Sequence, residues 1–341
     1  MLLDALHLKL QMAAHPRFYD TVGAMLPGVP GRMGVPAANV RAAAKDVIRM
    51  GESRELLKEA LVPGALKTHE VILVIGLVIA GDWRFSFAER LALAEQYLPA
   101  LTNWASVDSF AEAMRDFELH REEGRPFIEK LASQKDNPWA VRTALVLLLS
   151  HYCEPEEADF AFSVFERPEV LGLAAEHYYV SMALAWALSV FCVKCPEKTG
   201  AWLKDMTASG RLDRTTARRA VQKVRDSYRI ADEVKQRLTE LLKAPIAGSQ
   251  AAGAKKPANA HPTVQLANLA KASAAPSALK SAKDPKDGKS AKDAKTAKSA
   301  KPAAKGAAKA APAAAKAGRA PSAAAKAAGK TPDPSAGEPR A

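Results

Sequence analysis

Residues 137–152 read NPWAVRTALVLLLSHY, and this stretch decides the fold class because it has the features of a buried α-helix. Asn is a favoured helix N-cap, and Pro is favoured at the first helical position, where its missing N–H would have no partner. The run that follows is almost wholly apolar and is longer than a typical strand. We therefore predict a buried helix that begins at Pro138.

Helical patterns of the same kind fill residues 1–245. Segments of about 10–18 residues with helical periodicity follow one another, separated by short stretches of Pro, Gly or Asn. Strand signals are nearly absent, since these residues contain no Asn-Gly or Asp-Gly turn and no sustained apolar–polar alternation. We predict an all-α fold in which about ten or more helices stack as antiparallel pairs, a HEAT-like helical-repeat solenoid with a concave face. Further predicted helices start at Pro36 and near Thr68, and cover residues 178–193 and 215–228.

The chain divides by composition into a domain, residues 1–245, and a C-terminal tail, residues 246–341. The Ala/Lys/Pro-rich tail has 18 Lys and Arg against 5 Asp and Glu, so it holds a net charge of +13 within a chain of +12. Its apolar residues are too few to offset the entropy of ordering the backbone, and we predict that it is disordered. Such a polycation attracts DNA phosphates by releasing their counterions, whereas a purely solubilising extension is the alternative.

Other features limit where the protein works. The longest apolar run, residues 71–80, has ten residues, about half the length of a membrane-spanning helix, and is predicted to be a buried helix. The N-terminus carries Asp4 and lacks the basic-then-apolar order of a secretory signal. An odd number of cysteines, 3, favours a reducing compartment without disulfides. We expect a cytoplasmic monomer, associated with the nucleoid and without membrane contact.

Motifs for nucleotide, metal and hydrolase chemistry are missing from the sequence. There is no P-loop, GxGxxG or GxSxG motif, and the 7 His never have the i, i+4 spacing of a metal-binding helix. Cys192 and Cys195 form a lone CxxC, which we interpret as two small residues of a buried helix, with a redox or zinc site as the alternative. We predict no cofactor, no nucleotide and no metal.

Tryptophans beside polar residues mark a candidate site. Trp104 lies in the segment NWASVDSF, Trp139 in PWAVR, and Trp186 in ALAWAL. Asp108 follows Trp104 by four residues, at the predicted start of a helix that Ser106 would cap. In that interpretation Asp108 is a first-turn acid favoured by the helix dipole, and the alternative is a functional carboxylate.

Basic residues crowd the end of the predicted domain, where residues 201–245 hold 11 Lys and Arg against 6 Asp and Glu. The spacing of Arg211, Arg218, Arg225 and Arg229 would place them on roughly one helix face. We predict that basic helices here contact the DNA backbone, whereas a merely solvated helix face is the alternative. The predicted DNA-backbone residues are Arg218, Arg219, Lys223 and Arg225.

Six segments of the chain resemble the AlkD-type DNA alkylation repair family, whose members are HEAT-like DNA glycosylases. They occur in the family's order and spacing, from about residue 1 to residue 243, and the tail lies outside the resemblance. The segments are GVPAANVRAAAK (34–45), VILVIGLVIA (71–80), NWASVDSF (103–110), WAVRTALVLLLSHY (139–152), YYVSMALAWALSVFCVKCPEKT (178–199) and LDRTTARRAVQKVRDSYRI (212–230). The resemblance implies an enzyme that removes cationic N-alkylated purines, such as 3-methyladenine and 7-methylguanine, from double-stranded DNA.

The resemblance also implies roles for four residues. Asp108 matches the family's catalytic Asp, which stabilises positive charge on the sugar as the glycosidic bond breaks. Trp104 and Trp186 match its two active-site tryptophans, whose faces favour cationic substrates. Arg142 matches an arginine that holds a backbone phosphate beside the lesion.

Two positions depart from the family's pattern. Ser181 stands where a Lys is frequent, which implies that one phosphate contact is missing. The family's N-terminal helix can supply an aromatic residue to the site, but strict alignment places Met25 there, with Phe18 and Tyr19 nearby.

The sequence leaves three functions open. The first hypothesis is a DNA glycosylase, the second is a non-catalytic HEAT-like protein that recognises damaged or branched DNA, and the third is a protein-interaction solenoid. The joint presence of Trp104, Asp108, Arg142 and Trp186 favours the first, since a protein that only binds DNA gains little from a carboxylate near phosphates.

Overall fold

A computed structural model of the chain describes residues 1–242, which form fifteen α-helices and three short 3₁₀ turns without any strand in this part of the chain. The predicted all-α class is confirmed. The predicted disordered tail, residues 246–341, lies outside the described residues. The helices are α1 (Leu2–Met12), α2 (Pro16–Met25), α3 (Ala37–Met50), α4 (Ser53–Ala60), α5 (His69–Gly81), α6 (Phe87–Tyr97), α7 (Trp104–Ala113), α8 (Arg121–Ala132), α9 (Pro138–His151), α10 (Ala158–Phe165), α11 (Pro168–Glu176), α12 (Tyr178–Lys194), α13 (Pro196–Ala208), α14 (Arg214–Asp226) and α15 (Asp232–Leu241).

Six helices form an inner row in which each packs against the next along the chain: α3, α5, α7, α9, α12 and α14. Between consecutive members of the row the chain forms outer helices that pack against the row. For example, α4 packs on α5, α8 packs on α9 and α13 packs on α14. The connections within these pairs are short, which favours antiparallel packing. This repeated helix pair is the arrangement of a helical-repeat solenoid, and that prediction is confirmed.

The middle of the inner row is the most deeply buried part of the chain, which explains its apolar composition. In α5, Val74, Ile75, Val78 and Ile79 are fully buried, so the run at residues 71–80 belongs to a core helix as predicted. Helix α9 begins at Pro138, and the Asn137 side chain accepts hydrogen bonds from the next two backbone N–H groups. The predicted start of this helix is therefore confirmed.

The N-cap of α7 is Asn103, and the prediction that Ser106 caps this helix is wrong. The Asn103 side-chain oxygen accepts a hydrogen bond from the Ser106 N–H at 3.0 Å, so the helix starts at Trp104. The Ser106 hydroxyl donates back to the Asn103 carbonyl. Asp108 consequently lies in the second helical turn, beyond the reach of a first-turn dipole effect.

The loop between α2 and α3 is held to α5 by a buried carboxylate. Glu70 accepts backbone hydrogen bonds from Met33, Gly34 and Val35, the shortest being 2.7 Å from the Gly34 nitrogen. Gly34 has a φ of +81° and packs so closely on Tyr19 that an added Cβ would lie 2.5 Å from the Tyr19 nitrogen. Helix α2 is thereby fixed at one end of the inner row.

No helix in residues 1–242 has the length and apolar composition needed to cross a membrane. The three cysteines are free thiols, and burial raises the pKa of Cys192 to about 11, so this thiol is not activated. Within the described residues, no group of three or more His, Cys, Asp or Glu side chains could hold a metal ion.

Candidate active site

The centre of the candidate site is an ion pair between Asp108 on α7 and Arg142 on α9. The Arg142 Nε–H donates to Oδ1 of Asp108 at 2.9 Å, and its Nη2–H donates to Oδ2 at 2.7 Å. Both oxygens of the carboxylate are thus held by the planar guanidinium fork, which matches their geometry. The two side chains are only 14 % and 6 % exposed, so the pair is largely shielded from water.

Arg142 is itself fixed by a third contact to α12. Its Nη1–H donates to the backbone carbonyl of Tyr179 at 2.6 Å. Three of the five guanidinium N–H donors are therefore used inside the protein. One residue of α9 thus connects the carboxylate on α7 to the first turn of α12.

The charge state of Asp108 reflects two opposing influences. Burial raises the pKa of Asp108 above its ordinary value, and the hydrogen bonds and charge of Arg142 act against this rise. Glu112 follows one turn later on α7, and its pKa is raised by partial burial and by the negative charge of Asp108. Arg142 is therefore the group that favours the ionised form of Asp108.

Trp104 lies one turn before Asp108, on the same face of α7, and it contacts α2. Its indole N–H donates to the backbone carbonyl of Met25 at 3.4 Å. Met25, at the position where the resemblance implies an aromatic residue, is 47 % exposed and ends α2. Phe18 and Tyr19 lie about two turns earlier on α2, so the aromatic residues of this helix are separated from the Trp104 contact.

Trp186 lies on α12, half-buried, with its ring packed against the hydrophobic core. It follows Tyr179 by seven residues, a spacing that places the two on the same side of the helix. Trp186 therefore lies two turns along α12 from the carbonyl that binds Arg142. Asp108 and Arg142 are in direct contact, whereas Trp104 contacts α2 and Trp186 packs against the hydrophobic core.

An aromatic cluster beside Arg142 was not predicted from the sequence. The Trp139 ring packs against His177 and Tyr179, with centroid distances of 5.7 and 5.2 Å. Burial and the nearby charge of Arg142 lower the pKa of His177, which favours its neutral form. The available signal was Trp139 itself, three residues before Arg142 and hence on the same side of α9.

The predicted DNA-backbone residues lie on two different sides of α14. Arg219 and Lys223, one turn apart, are half-buried, whereas Arg218 and Arg225 are exposed on another side of the helix. The predicted common face with Arg211 and Arg229 is wrong, because both residues lie outside α14. Arg211 instead pairs with Glu166 at 3.1 Å.

Comparison with known proteins points to one family. A family model described as DNA alkylation repair enzyme matches residues 11–224, which is more than half of the chain. Among solved structures, the chain is similar to a predicted DNA alkylation repair enzyme from Enterococcus faecalis, with a TM-score of 0.52 and 20 % sequence identity over 64 % of this chain and 100 % of that one. At this identity the structural likeness shows the fold alone. A search of curated proteins gave no match.

Proposed function

This chain belongs to the family of DNA alkylation repair enzymes, and we propose that it is a DNA glycosylase that excises cationic N-alkylated purines from double-stranded DNA. The proposed substrates are 3-methyladenine and 7-methylguanine, and the product is an abasic site. The substrate explains why a single carboxylate suffices. An N-alkylated purine already carries a positive charge, so it leaves as a neutral base and no general acid is needed.

The proposed role of Asp108 follows from the charge that develops during the reaction. As the glycosidic bond breaks, the sugar acquires oxocarbenium character, and a carboxylate held nearby stabilises it electrostatically. Such a group is most effective when it is already oriented and shielded from water, because no reorganisation is then needed. In this proposal Asp108 also orients the water that attacks the sugar.

One observation carries this proposal: Asp108 is a shielded carboxylate held on both oxygens by Arg142. The pairing favours the ionised form and fixes the orientation of the carboxylate. Trp104 and Trp186 support the proposal, because the face of an aromatic ring attracts a cationic base.

A second candidate function is DNA binding without base excision. The same ion pair favours it, because a carboxylate engaged on both oxygens also serves as a brace between α7 and α9. In that case the protein recognises damaged or branched DNA and breaks no bond.

The decisive experiment measures the release of 3-methyladenine and 7-methylguanine from methylated duplex DNA. For the Asp108→Asn variant, which keeps the shape and loses the charge, we expect single-turnover excision to fall by roughly 10²–10³, the scale of one preorganised electrostatic group. Binding to undamaged duplex and thermal stability are measured alongside as controls. If the wild type releases these bases no faster than they are released spontaneously, the proposal of base excision is wrong and DNA binding is the remaining function. If the wild type and Asp108→Asn excise at equal rates, Asp108 does not take part in the chemistry.

A further inference from the structure

We propose that Arg219 on α14 forms a built binding site for one backbone phosphate of the lesion-bearing strand, next to the Asp108–Arg142 centre. This inference rests on the proposed function, because it takes DNA as the ligand, but it does not require that the protein excise a base. Ser181 is part of the site, at the position where relatives frequently carry a Lys.

The guanidinium of Arg219 is held in place by two contacts to α12. It lies over the ring of Tyr178 at 4.8 Å, and its Nη1–H donates to the Ser181 hydroxyl at 2.6 Å. Stacking and hydrogen bonding together restrict a side chain that would otherwise lose much rotamer freedom on binding a ligand.

Buried hydroxyl groups behind Arg219 complete its support. The oxygens of Ser181 and Thr216 form a hydrogen bond of 2.6 Å, and the Thr216 hydroxyl donates to the Ala174 carbonyl at 3.1 Å. Both hydroxyl side chains are fully buried. The network thus connects Arg219 to α12 and to the end of α11, and it fixes the guanidinium rather than neutralising it.

Arg219 contrasts with three of the other buried or half-buried arginines, which are paired with carboxylates. Arg90 pairs with Asp116, Arg125 with Glu157, and Arg142 with Asp108. No Asp or Glu in residues 1–242 forms an ion pair with Arg219, whose one hydrogen-bond acceptor there is a neutral hydroxyl. A fixed guanidinium with unpaired donors is a site for a bidentate anion, and phosphate is the anion that DNA presents.

The site lies close enough to the reaction centre to contact the same strand. Arg142 and Arg219 reach the first turn of α12 from its two inner-row neighbours, since one binds the Tyr179 carbonyl and the other the Ser181 hydroxyl. A phosphate bound by Arg219 would therefore lie near the Asp108–Arg142 centre.

The neighbouring Arg218 is a matched control for this site. Arg218 has the same charge as Arg219 and lies on the same helix, but it is exposed and is on a different side of α14. Its effect on DNA binding is therefore expected to be a loose electrostatic contribution that is not tied to one phosphate.

The test is a binding titration of duplexes in which single phosphates are replaced by neutral methylphosphonates. On a duplex that carries one abasic-site analogue, which fixes the register of the protein and offers no base for excision, we expect Arg219→Ala to weaken binding by about tenfold and to lower the salt slope by about one unit. At one linkage, the methylphosphonate should weaken the wild type and have no further effect on Arg219→Ala. Arg218→Ala should cause a smaller loss and respond to that linkage as the wild type does.

Additional variants keep the test decisive if Arg219→Ala is poorly folded. Ser181→Ala keeps Arg219 and removes the hydroxyl that supports it, whereas Arg219→Lys keeps the positive charge and removes the guanidinium fork. Each variant should lose the affinity that depends on that same linkage. The inference is overturned if Arg218→Ala and Arg219→Ala lose affinity equally and no linkage distinguishes them. Because this duplex offers no base for excision, failure of base excision leaves the result of the titration interpretable.

Discussion

At the scale of single residues, Arg142 influences the charge state of Asp108 through their ion pair. Arg142 provides most of the opposition to the burial that raises the pKa of Asp108. Removing a partner from such a pair leaves an uncompensated, shielded charge, which is more costly than the intact pair. Arg142 therefore acts on Asp108 as well as on any phosphate that its remaining donors contact.

We predict that Arg142→Ala moves the acid limb of the excision profile to higher pH. The reactive form of Asp108 is the carboxylate, so excision falls as the pH decreases through its pKa. Without Arg142 that pKa rises further, and the fall begins at a higher pH than in the wild type. Single-turnover excision on saturating DNA, measured across pH and corrected for spontaneous release, checks this.

Arg142→Lys is the matched control for charge, and its acid limb should lie between those of the wild type and Arg142→Ala. Unchanged acid limbs in both variants, with only DNA affinity reduced, would assign Arg142 to phosphate binding alone.

Trp186 provides a second prediction at this scale. Trp186→Ala should slow excision of the cationic base by roughly tenfold through the loss of a cation–π contact, with little change in affinity for undamaged duplex. Trp202→Phe is the control, because Trp202 is a buried tryptophan on α13 whose indole N–H donates to Glu166. It should lower the melting temperature and leave excision intact. Loss of folding in Trp186→Ala alone would identify Trp186 as a core residue.

At the scale of elements, the position of α2 depends on a buried carboxylate from α5. Glu70 binds three successive backbone N–H groups of the α2–α3 loop, and α2 ends at the carbonyl that Trp104 contacts. The geometry of the α2–α3 loop is thus coupled to the position of Trp104 in the candidate site.

We predict that Glu70→Ala destabilises the domain by about 3 kcal/mol, because buried N–H groups lose a charged acceptor. Glu70→Gln keeps one acceptor oxygen and should lose less. Urea unfolding gives the stability, and hydrogen exchange of the Met33 and Gly34 amides reports the loop. Exchange as slow in Glu70→Ala as in the wild type would show that other contacts hold α2 in place.

At the scale of the whole molecule, charge is distributed very unevenly along the chain. Residues 246–341 carry a net charge of +13, whereas the chain as a whole has +12, so the preceding domain is almost neutral. We therefore expect the tail to provide sequence-independent attraction to DNA and the folded domain to position the lesion. Association with the nucleoid in the cytoplasm stays a prediction.

We predict that truncation after Gly248 leaves excision on saturating DNA intact, since every candidate site residue precedes it. Affinity for long duplexes at low salt should fall, and the plot of log affinity against log salt should become flatter. The difference should fade above roughly 0.3 M salt, where the Debye length is about 5–6 Å. Equal salt slopes for the full and truncated chains would show that the tail does not contact DNA.

The sequence by itself determined the fold class, the helix that starts at Pro138 and the buried helix at residues 71–80. These features follow from caps and from hydrophobic periodicity, which act over a few neighbouring residues. The start of α7 was predicted wrongly because Asn103 and Ser106 are both favoured N-caps, so local preference does not choose between them. The family resemblance selected Asp108, Arg142 and the two tryptophans, but it gave them separate roles.

Only the tertiary structure decided how these residues act on one another. The Asp108–Arg142 pair joins positions 34 residues apart, Trp104 contacts the end of α2 across 79 residues, and Arg219 reaches Ser181 across 38. Such contacts depend on the offset and rotation of packed helices. These are set by how side chains interlock over the entire core, and no local pattern in the chain records them.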